Sequence, residues 1–345
     1  MKQLSESLPE PRTPDPRSAP PLRWGIIGGG LIAGLFVAAA RTHTRQRVVS
    51  IGSRDHARAS AFALAHGIDQ AHGSYQALVD DDNLDIVYVA SPHSEHRDHA
   101  LLAIAAGKHV LVEKAFTQNA DQAREVFAAA DAAGVTVMEA MWSRFLPHYD
   151  VIKQILEDGI LGQPVLTLAD HGQYFDFDPA SRLFNRSLAG GALLDLGIYP
   201  ISLASFVHGT PVAVHAAGKG TSTGVDGQVS ATLVNACGGH ASISTTLFAK
   251  SPTTATISGT EARIEVPGDF YTPQPIAVIG RDGQRRVWDA NRIHGHQGLA
   301  FEIAAFADMV AEGRRDSPLM PRSETITILQ TIDEIRRQLG PLGIP

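Results

Sequence analysis

The sequence predicts an α/β fold in two parts: an N-terminal doubly wound parallel sheet, then an α+β domain with a large open, mostly antiparallel sheet. Three observations carry this. From Leu22 to about residue 140, short β-branched runs alternate with Ala/Leu-rich stretches of helical spacing, the pattern of strands buried on both faces and joined by helices. The first of those runs leads into three consecutive glycines. After about residue 140 the texture changes and, past one more helix, becomes polar–apolar alternation broken by Gly/Asp turns, which marks sheet with one face open to solvent or to a partner.

Taken in order, the strand candidates of the first part are "RWGIIG" (23–28), "VVSIGS" (48–53), "DIVYVA" (85–90), "HVLVEK" (109–114) and "VTVMEA" (135–140). Helical spacing fills the gaps over 56–67, 98–108 and 120–134, the last with Asn119 and Gln122 placed as a capping box and Gly134 just past its end. A helix over Tyr149–Glu157 leads into "PVLTLADHGQYF" (164–175) and a Gly-rich segment. Six alternating segments follow: "PVAVHAAGK", "QVSATLVNA", "HASISTTLF", "TATISGT", "ARIEVPG" and "PIAVIGRDG". Two helical stretches, 298–312 and 321–338, close the chain. The reading gives a tail over 1–21, a nucleotide-binding domain over 22–140 and a substrate-binding and oligomerisation domain over 141–345. The tail has proline at 9, 11, 14, 16, 20 and 21 and almost no large apolar side chain, so disorder is expected there.

Composition narrows the class. The chain has 345 residues, 44% hydrophobic and 19% charged, enough to bury full cores. A formal net charge of −7 opposes a nucleic-acid partner. The single cysteine, Cys237, forbids an intramolecular disulfide, fits a reducing, cytoplasmic setting, and reads as a small apolar filler. The uncharged run Trp24–Ala40 resembles a membrane or export segment, but it lies behind a long tail carrying Glu6, Glu10 and Asp15 and is broken by Gly28, Gly29 and Gly30. No membrane partner is expected.

That run is read instead as a nucleotide cradle. "Gly28-Gly29-Gly30-Leu31-Ile32-Ala33" fits G-x-G-x-x-A between an apolar strand and an Ala-rich helix. The first glycine permits the tight turn, and Gly30 lets backbone approach a pyrophosphate. The helix N-terminus at Leu31 and Ile32 offers its N–H groups to the anion. This is the Rossmann arrangement. At the end of the second strand stand Ser53, Arg54 and Asp55, with Arg58 one turn on. Ser53 occupies the place where an NAD site has its acid, and a guanidinium there can fork onto a 2′-phosphate. Asp55 reads as the N-cap of the next helix. NADP is therefore expected over NAD.

Polar clusters fall at the carboxyl ends of later strands, where such sheets place chemistry: "SPHSEH" (91–96), "EKAF" (113–116) and "MEAMWSRFLPH" (138–148), joined by "GGALLDLGIYP" (190–200) in the second part. Together these motifs resemble the glucose-fructose oxidoreductase/inositol dehydrogenase family, Gfo/Idh/MocA. The nearest likeness is to its dimeric dihydrodiol dehydrogenase and NADP-dependent D-xylose 1-dehydrogenase branch. The resemblance spans nearly everything from Leu22 onward and implies hydride transfer between a nicotinamide and a sugar or sugar-like alcohol, in a homodimer or homotetramer. It further implies Lys114 as the catalytic lysine, Tyr199 as the proton-transfer residue and Asp195 as its companion. Pro92, His93 and Glu113 are implied at the cofactor. Alanine at 115 departs from the family's usual Glu-Lys-Pro.

Chemistry agrees with these roles. Asp195 and Tyr199 are spaced to share a helix face. A phenol of pKa near 10 is a poor base at neutral pH, and a neighbouring ammonium favours its ionised form by about 1–3 units. Trp142, Arg144 and Arg182 are candidate substrate contacts, each with a structural alternative: an interface plug for Trp142, ion pairs for the arginines. A reductase of a dicarbonyl or of an anhydro- or keto-sugar would use the same residues. A non-catalytic NADP-binding sensor would have no need of Lys114, Asp195 and Tyr199 together. His93, His96 and His99 drift around a helix and do not suggest a metal centre. "GTSTG" (220–224) lacks the strand–turn–helix setting of a nucleophile elbow.

Overall fold

The computed structural model describes residues 7–340. The first sheet is built from β1 (Arg23–Ile27), β2 (Arg47–Gly52), β3 (Gln70–His72), β4 (Ile86–Val89), β5 (His109–Glu113) and β6 (Val137–Ala140), in the order β3-β2-β1-β4-β5-β6. Every pairing is parallel. The connecting helices are α1 (Leu31–His43), α2 (His56–His66), a short α3 (Tyr75–Val79), α4 (His96–Ala105) and α5 (Ala120–Ala133). Strand order reverses between β1 and β4, so the glycine turn after β1 opens at the switch point, where such sheets hold ligands. The uncharged run thus divides into β1, the turn and α1. β3, a three-residue edge strand with no alternation to betray it, was not anticipated.

The second sheet joins β7 (Pro164–Gly172), β8 (Pro211–Gly220), β9 (Asp226–Asn235), β10 (His240–Thr246), β11 (Ala255–Gly259), β12 (Ala262–Val266), β13 (Ile276–Gly280) and β14 (Arg285–Trp288). Their order is β14-β13-β12-β11-β7-β10-β9-β8. Only β7–β10 is parallel; the rest are antiparallel, as expected. Helix α6 (Pro147–Glu157) precedes β7, and α7 (Ile198–His208) packs on β7 and β10. The pleat separates two faces. Ala169, Ala231, Ile243, Ala255 and Val266 are buried, whereas the cross-strand row through Leu168, Ser242, Thr256, Glu265 and Val287 lies on the other face, with Leu168 47% and Val287 51% exposed.

The chain divides into two compact units, but not at one cut. Residues 14–145 cluster with 295–326, and residues 146–294 cluster with 7–13 and 327–340. The expected boundary near 140 thus misplaces 295–326. Helix α8 (Leu299–Ala311) belongs to the parallel-sheet unit because its Phe306 packs 5.9 Å from Trp24 of β1. Helix α9 (Arg322–Leu339) begins in that unit and ends in the other.

The tail also differs from expectation over residues 7–21; residues 1–6 lie outside the described residues. Arg12 pairs with Asp150 at 2.6 Å, and the Ser18 and Ala19 carbonyls accept from Arg45 at 3.0 and 2.9 Å. The segment is held by side-chain donors that satisfy its backbone oxygens, together with the burial of Leu8 and Ala19. Composition does not report that.

Candidate active site

In the parallel-sheet unit the chain turns after β1 at Gly28, whose φ is +98°. A Cβ there would stand 2.6 Å from the Ala90 carbonyl oxygen, so glycine alone permits the turn to lie against the end of β4. Gly29 and Gly30 are exposed, and Leu31 is 84% exposed. Helix α1 starts with no side-chain cap and no acidic residue in its first turn. Its leading N–H groups are left for a ligand, and an anion is the natural occupant. These residues fit the pyrophosphate of a dinucleotide. Ile32 is half-buried on the same turn.

At the end of β2 the Asp55 carboxylate caps α2, accepting from the Ala57 and Arg58 amides at 2.9 and 3.3 Å, while Ser53 Oγ accepts from the Asp55 amide. The acid that would compete for a ribose hydroxyl is thereby engaged by its own helix. Arg54 and Arg58 are exposed, and neither makes an ion pair among the described residues.

The carboxyl ends of β4, β5 and β6 are tied together by hydrogen bonds. Pro92 opens a single 3₁₀ turn over His93–Glu95. His93 Nε2 lies 3.3 Å from the Lys114 carbonyl, and His96 reaches the Ala115 and Ser91 carbonyls at 2.8 Å each. The Phe116 amide donates to Glu139 Oε1 at 3.1 Å. The Lys114–Ala115 peptide is cis, with alanine in place of the usual proline. The Lys114 and Ala115 carbonyls are thus held by His93 and His96, while Lys114 itself is only half-buried. Burial pushes the His96 imidazolium down, to about 4, against the pull of its two carbonyl partners. Glu113 is turned into the protein, 6% exposed, and accepts from the Tyr88 hydroxyl. His99 bonds Ser91 Oγ at 2.9 Å, so each of the three imidazoles is engaged by a protein oxygen.

In the antiparallel-sheet unit, residues Leu193–Gly197 form one π-helical turn that continues as α7. Pro200 has no N–H to give the Leu196 carbonyl four residues back, and that carbonyl accepts from His171 Nδ1 at 3.2 Å. His171 Nε2 lies 3.1 Å from the Gln173 side-chain amide nitrogen. Tyr199, 6% exposed, stacks on Tyr271 with centroids 4.4 Å apart, and Tyr271 stacks on His171 at 4.6 Å. Burial, then Asp269 and Asp195, push the Tyr271 phenol up to about 12. Asp195 is gripped by Arg182 through two hydrogen bonds, 3.1 and 3.3 Å. Leu183, Phe184, Ala192, Leu196 and Leu247 pack together beneath this pair, fastening the loop that carries Arg182 to the helix that carries Asp195 and Tyr199.

Several expectations shift. Arg144 is not displayed for a substrate: its side chain is 4% exposed and pairs with Glu324 at 2.5 Å, because it lies on the buried 3₁₀ turn Trp142–Phe145. Trp142 is 3% exposed and stacks on His296 at 5.6 Å, within the parallel-sheet unit, so its ring is not displayed as a sugar platform. Arg182 meets Asp195, a structural pair at the site itself. Cys237 is exposed in the β9–β10 turn rather than a filler. His171, Tyr271 and Glu139 had gone unmarked. Each reaches its place through strand register or a long-range loop, and no local spacing announces it.

Comparison with known proteins accords with this architecture. Residues 22–141 match the model of the oxidoreductase family with NAD-binding Rossmann fold, and residues 149–265 match the GFO/IDH/MocA C-terminal domain. The chain is 34% identical to mouse (Mus musculus) trans-1,2-dihydrobenzene-1,2-diol dehydrogenase over 330 residues, covering 92% of this chain and 97% of that one. The human (Homo sapiens) protein of the same name is 33% identical with the same coverage. Among solved structures, a 3-ketoreductase from Actinomadura kijaniata in complex with TDP-benzene and NADP superposes with a TM-score of 0.81 at 25% identity, covering 94% of this chain and 100% of that one. With both halves matched and relatives of this identity along nearly its whole length, the chain belongs to the Gfo/Idh/MocA oxidoreductases.

Proposed function

We propose that this oxidoreductase is an NADP-dependent dehydrogenase of a cyclic, sugar-like secondary alcohol, such as a trans-dihydrodiol or an aldose oxidised at C1. The observation that carries the reading is the Asp195–Tyr199 helix: a phenol held by ring stacking and a carboxylate held by Arg182, one helical step apart. When bound, the nicotinamide supplies the hydride acceptor. Tyr199 takes the proton of the substrate hydroxyl as the carbon–hydrogen bond of the same carbon breaks, leaving a carbonyl. By its resemblance to the family, Lys114 is the catalytic lysine of this reading. Asp195, its orientation fixed by Arg182, accepts a second substrate hydroxyl. The mouse and human relatives bear the name of a dihydrodiol dehydrogenase, which supports the substrate class. An absorbance screen for NADPH formation with trans-1,2-dihydrobenzene-1,2-diol, D-xylose and inositols tests it; silence with every cyclic alcohol overturns it.

NADP over NAD rests on the engagement of Asp55 and the exposure of Arg54 and Arg58. Arg54→Ala is expected to raise the Michaelis constant for NADP about tenfold, the size of one charge-assisted phosphate contact, and to leave that for NAD nearly unchanged. Equal effects on both cofactors sink the assignment. A homodimer or homotetramer is proposed through the open face of the second sheet, where Leu168 and Val287 are exposed. Leu168→Lys should then lower the mass found by sedimentation; an unchanged mass removes this face as the contact.

A further inference from the structure

Within the antiparallel-sheet unit, one buried acid takes no part in the chemistry above yet touches the helix that performs it. Asp226, the first residue of β9, is 5% exposed. Its Oδ2 accepts from the Leu193 amide at 2.6 Å, at the very start of the π turn that leads to Asp195 and Tyr199. The Ala192 amide also acts on this carboxyl. Access to it depends on Gly191, whose φ is +123° and where a Cβ would sit 2.3 Å from Asp226 Oδ1. Gly190 is equally constrained: its Cβ would stand 2.5 Å from the Leu183 carbonyl oxygen. The Gly-Gly pair therefore has a definite task, to bring the helix start against a carboxylate from a distant strand.

We propose that Asp226 is a positioning residue for the reaction: its carboxylate caps the helix bearing Asp195 and Tyr199 from outside, and Gly191 admits it. The inference rests on the catalytic reading of Tyr199 given above. An uncapped helix start leaves N–H groups unsatisfied and free to fray. Here the cap is a charge placed at the positive end of the helix dipole, supplied across 33 residues of sequence rather than by the local cap residue, Ala192, which makes no side-chain hydrogen bond. Burial pushes the Asp226 carboxyl up, to about 6, with Arg336 of α9 the charged group that opposes the rise. The fold retains an acid where its charged form is disfavoured, a cost that a neutral side chain would not carry. Tyr199 stands six residues beyond the anchored amide, so a small rotation at the anchor is carried to the phenol, and displacements of about 1 Å at a reacting group can cost a hundredfold in rate.

The test compares Asp226→Asn, Asp226→Ala and Gly191→Ala with the wild type, using trans-1,2-dihydrobenzene-1,2-diol and NADP. Asparagine keeps an acceptor oxygen in the same place without the charge, so turnover should fall in the order wild type, Asn, Ala. The Ala variant and Gly191→Ala are expected at least tenfold down, with the Michaelis constant for NADP unchanged. Amide hydrogen exchange over 192–199 should quicken in the same order, a readout independent of activity. Turnover within twofold of wild type in all three variants overturns the inference, as does a loss fully explained by a smaller folded fraction. Tyr199→Phe, run alongside, separates the two readings. If it is slow and the Asp226 variants are not, positioning alone fails. Full turnover of Tyr199→Phe removes the catalytic reading and this inference with it.

Discussion

Tyr199→Phe should turn over trans-1,2-dihydrobenzene-1,2-diol at least about a hundredfold more slowly than the wild type, the usual contribution of a placed acid–base group, while NADP binds as before. The variant is clean for a structural reason. The Tyr199 ring is held by its face, stacked on Tyr271 4.4 Å away with His171 5.5 Å from it, and phenylalanine preserves that face. The helix beneath keeps its other anchors, His171 on the Leu196 carbonyl and Asp226 on the Leu193 amide. What is lost is the oxygen that receives the proton. The signature is a fall in kcat with little change in the substrate Michaelis constant, because an interaction made chiefly in the transition state is removed. Cofactor affinity, followed by quenching of protein fluorescence, should not move, since the glycine turn and α1 lie in the other unit. A variant that turns over like the wild type rules out the phenol as the proton acceptor.

The legible features of this chain are those whose physics is local. Gly28 was readable because a strand, a turn and a helix follow one another within a few residues, and Asp55 because a cap lies beside the helix it caps. The buried strands of the first sheet declared themselves by unbroken apolar composition, and those of the second by alternation. The rest depends on what meets what across long separations. Tyr271 reaches Tyr199 from beyond β12, Asp226 reaches Leu193 from β9, and Glu324 neutralises Arg144 from α9. None of these leaves a periodic trace. The same holds for 295–326, whose apolar helix would suit either unit until Phe306 is seen against Trp24. The tail misled in the opposite sense: poor in apolar residues, it is fixed by guanidinium and amide donors that belong to other segments.

The parallel-sheet unit should lose stability as pH rises above about 4.5, and Glu302→Gln should remove much of that loss. Glu302 of α8 is 0% exposed, and both its carboxyl oxygens lack a hydrogen-bond partner among the described residues. Burial holds it well above the ordinary glutamate range, and the nearby carboxyls of Glu113 and Glu139 raise it further. Glu139, 1% exposed, is pushed up to about 7 by burial, against Thr325, the Phe116 amide and Arg144, which favour its charge. Both folded-state values lie above the unfolded one of 4.5. Relative to a permanently charged group, the stabilisation is therefore fully present below pH 4.5 and is lost as pH rises through the folded values. Glutamine at 302 has the shape of the protonated acid and nothing to ionise. It should match the wild type below about pH 4.5 and exceed it increasingly toward pH 9. Thermal unfolding of both proteins across that range measures the gap directly. Parallel curves, with the difference in midpoint independent of pH, would mean that Glu302 is not a buried neutral acid.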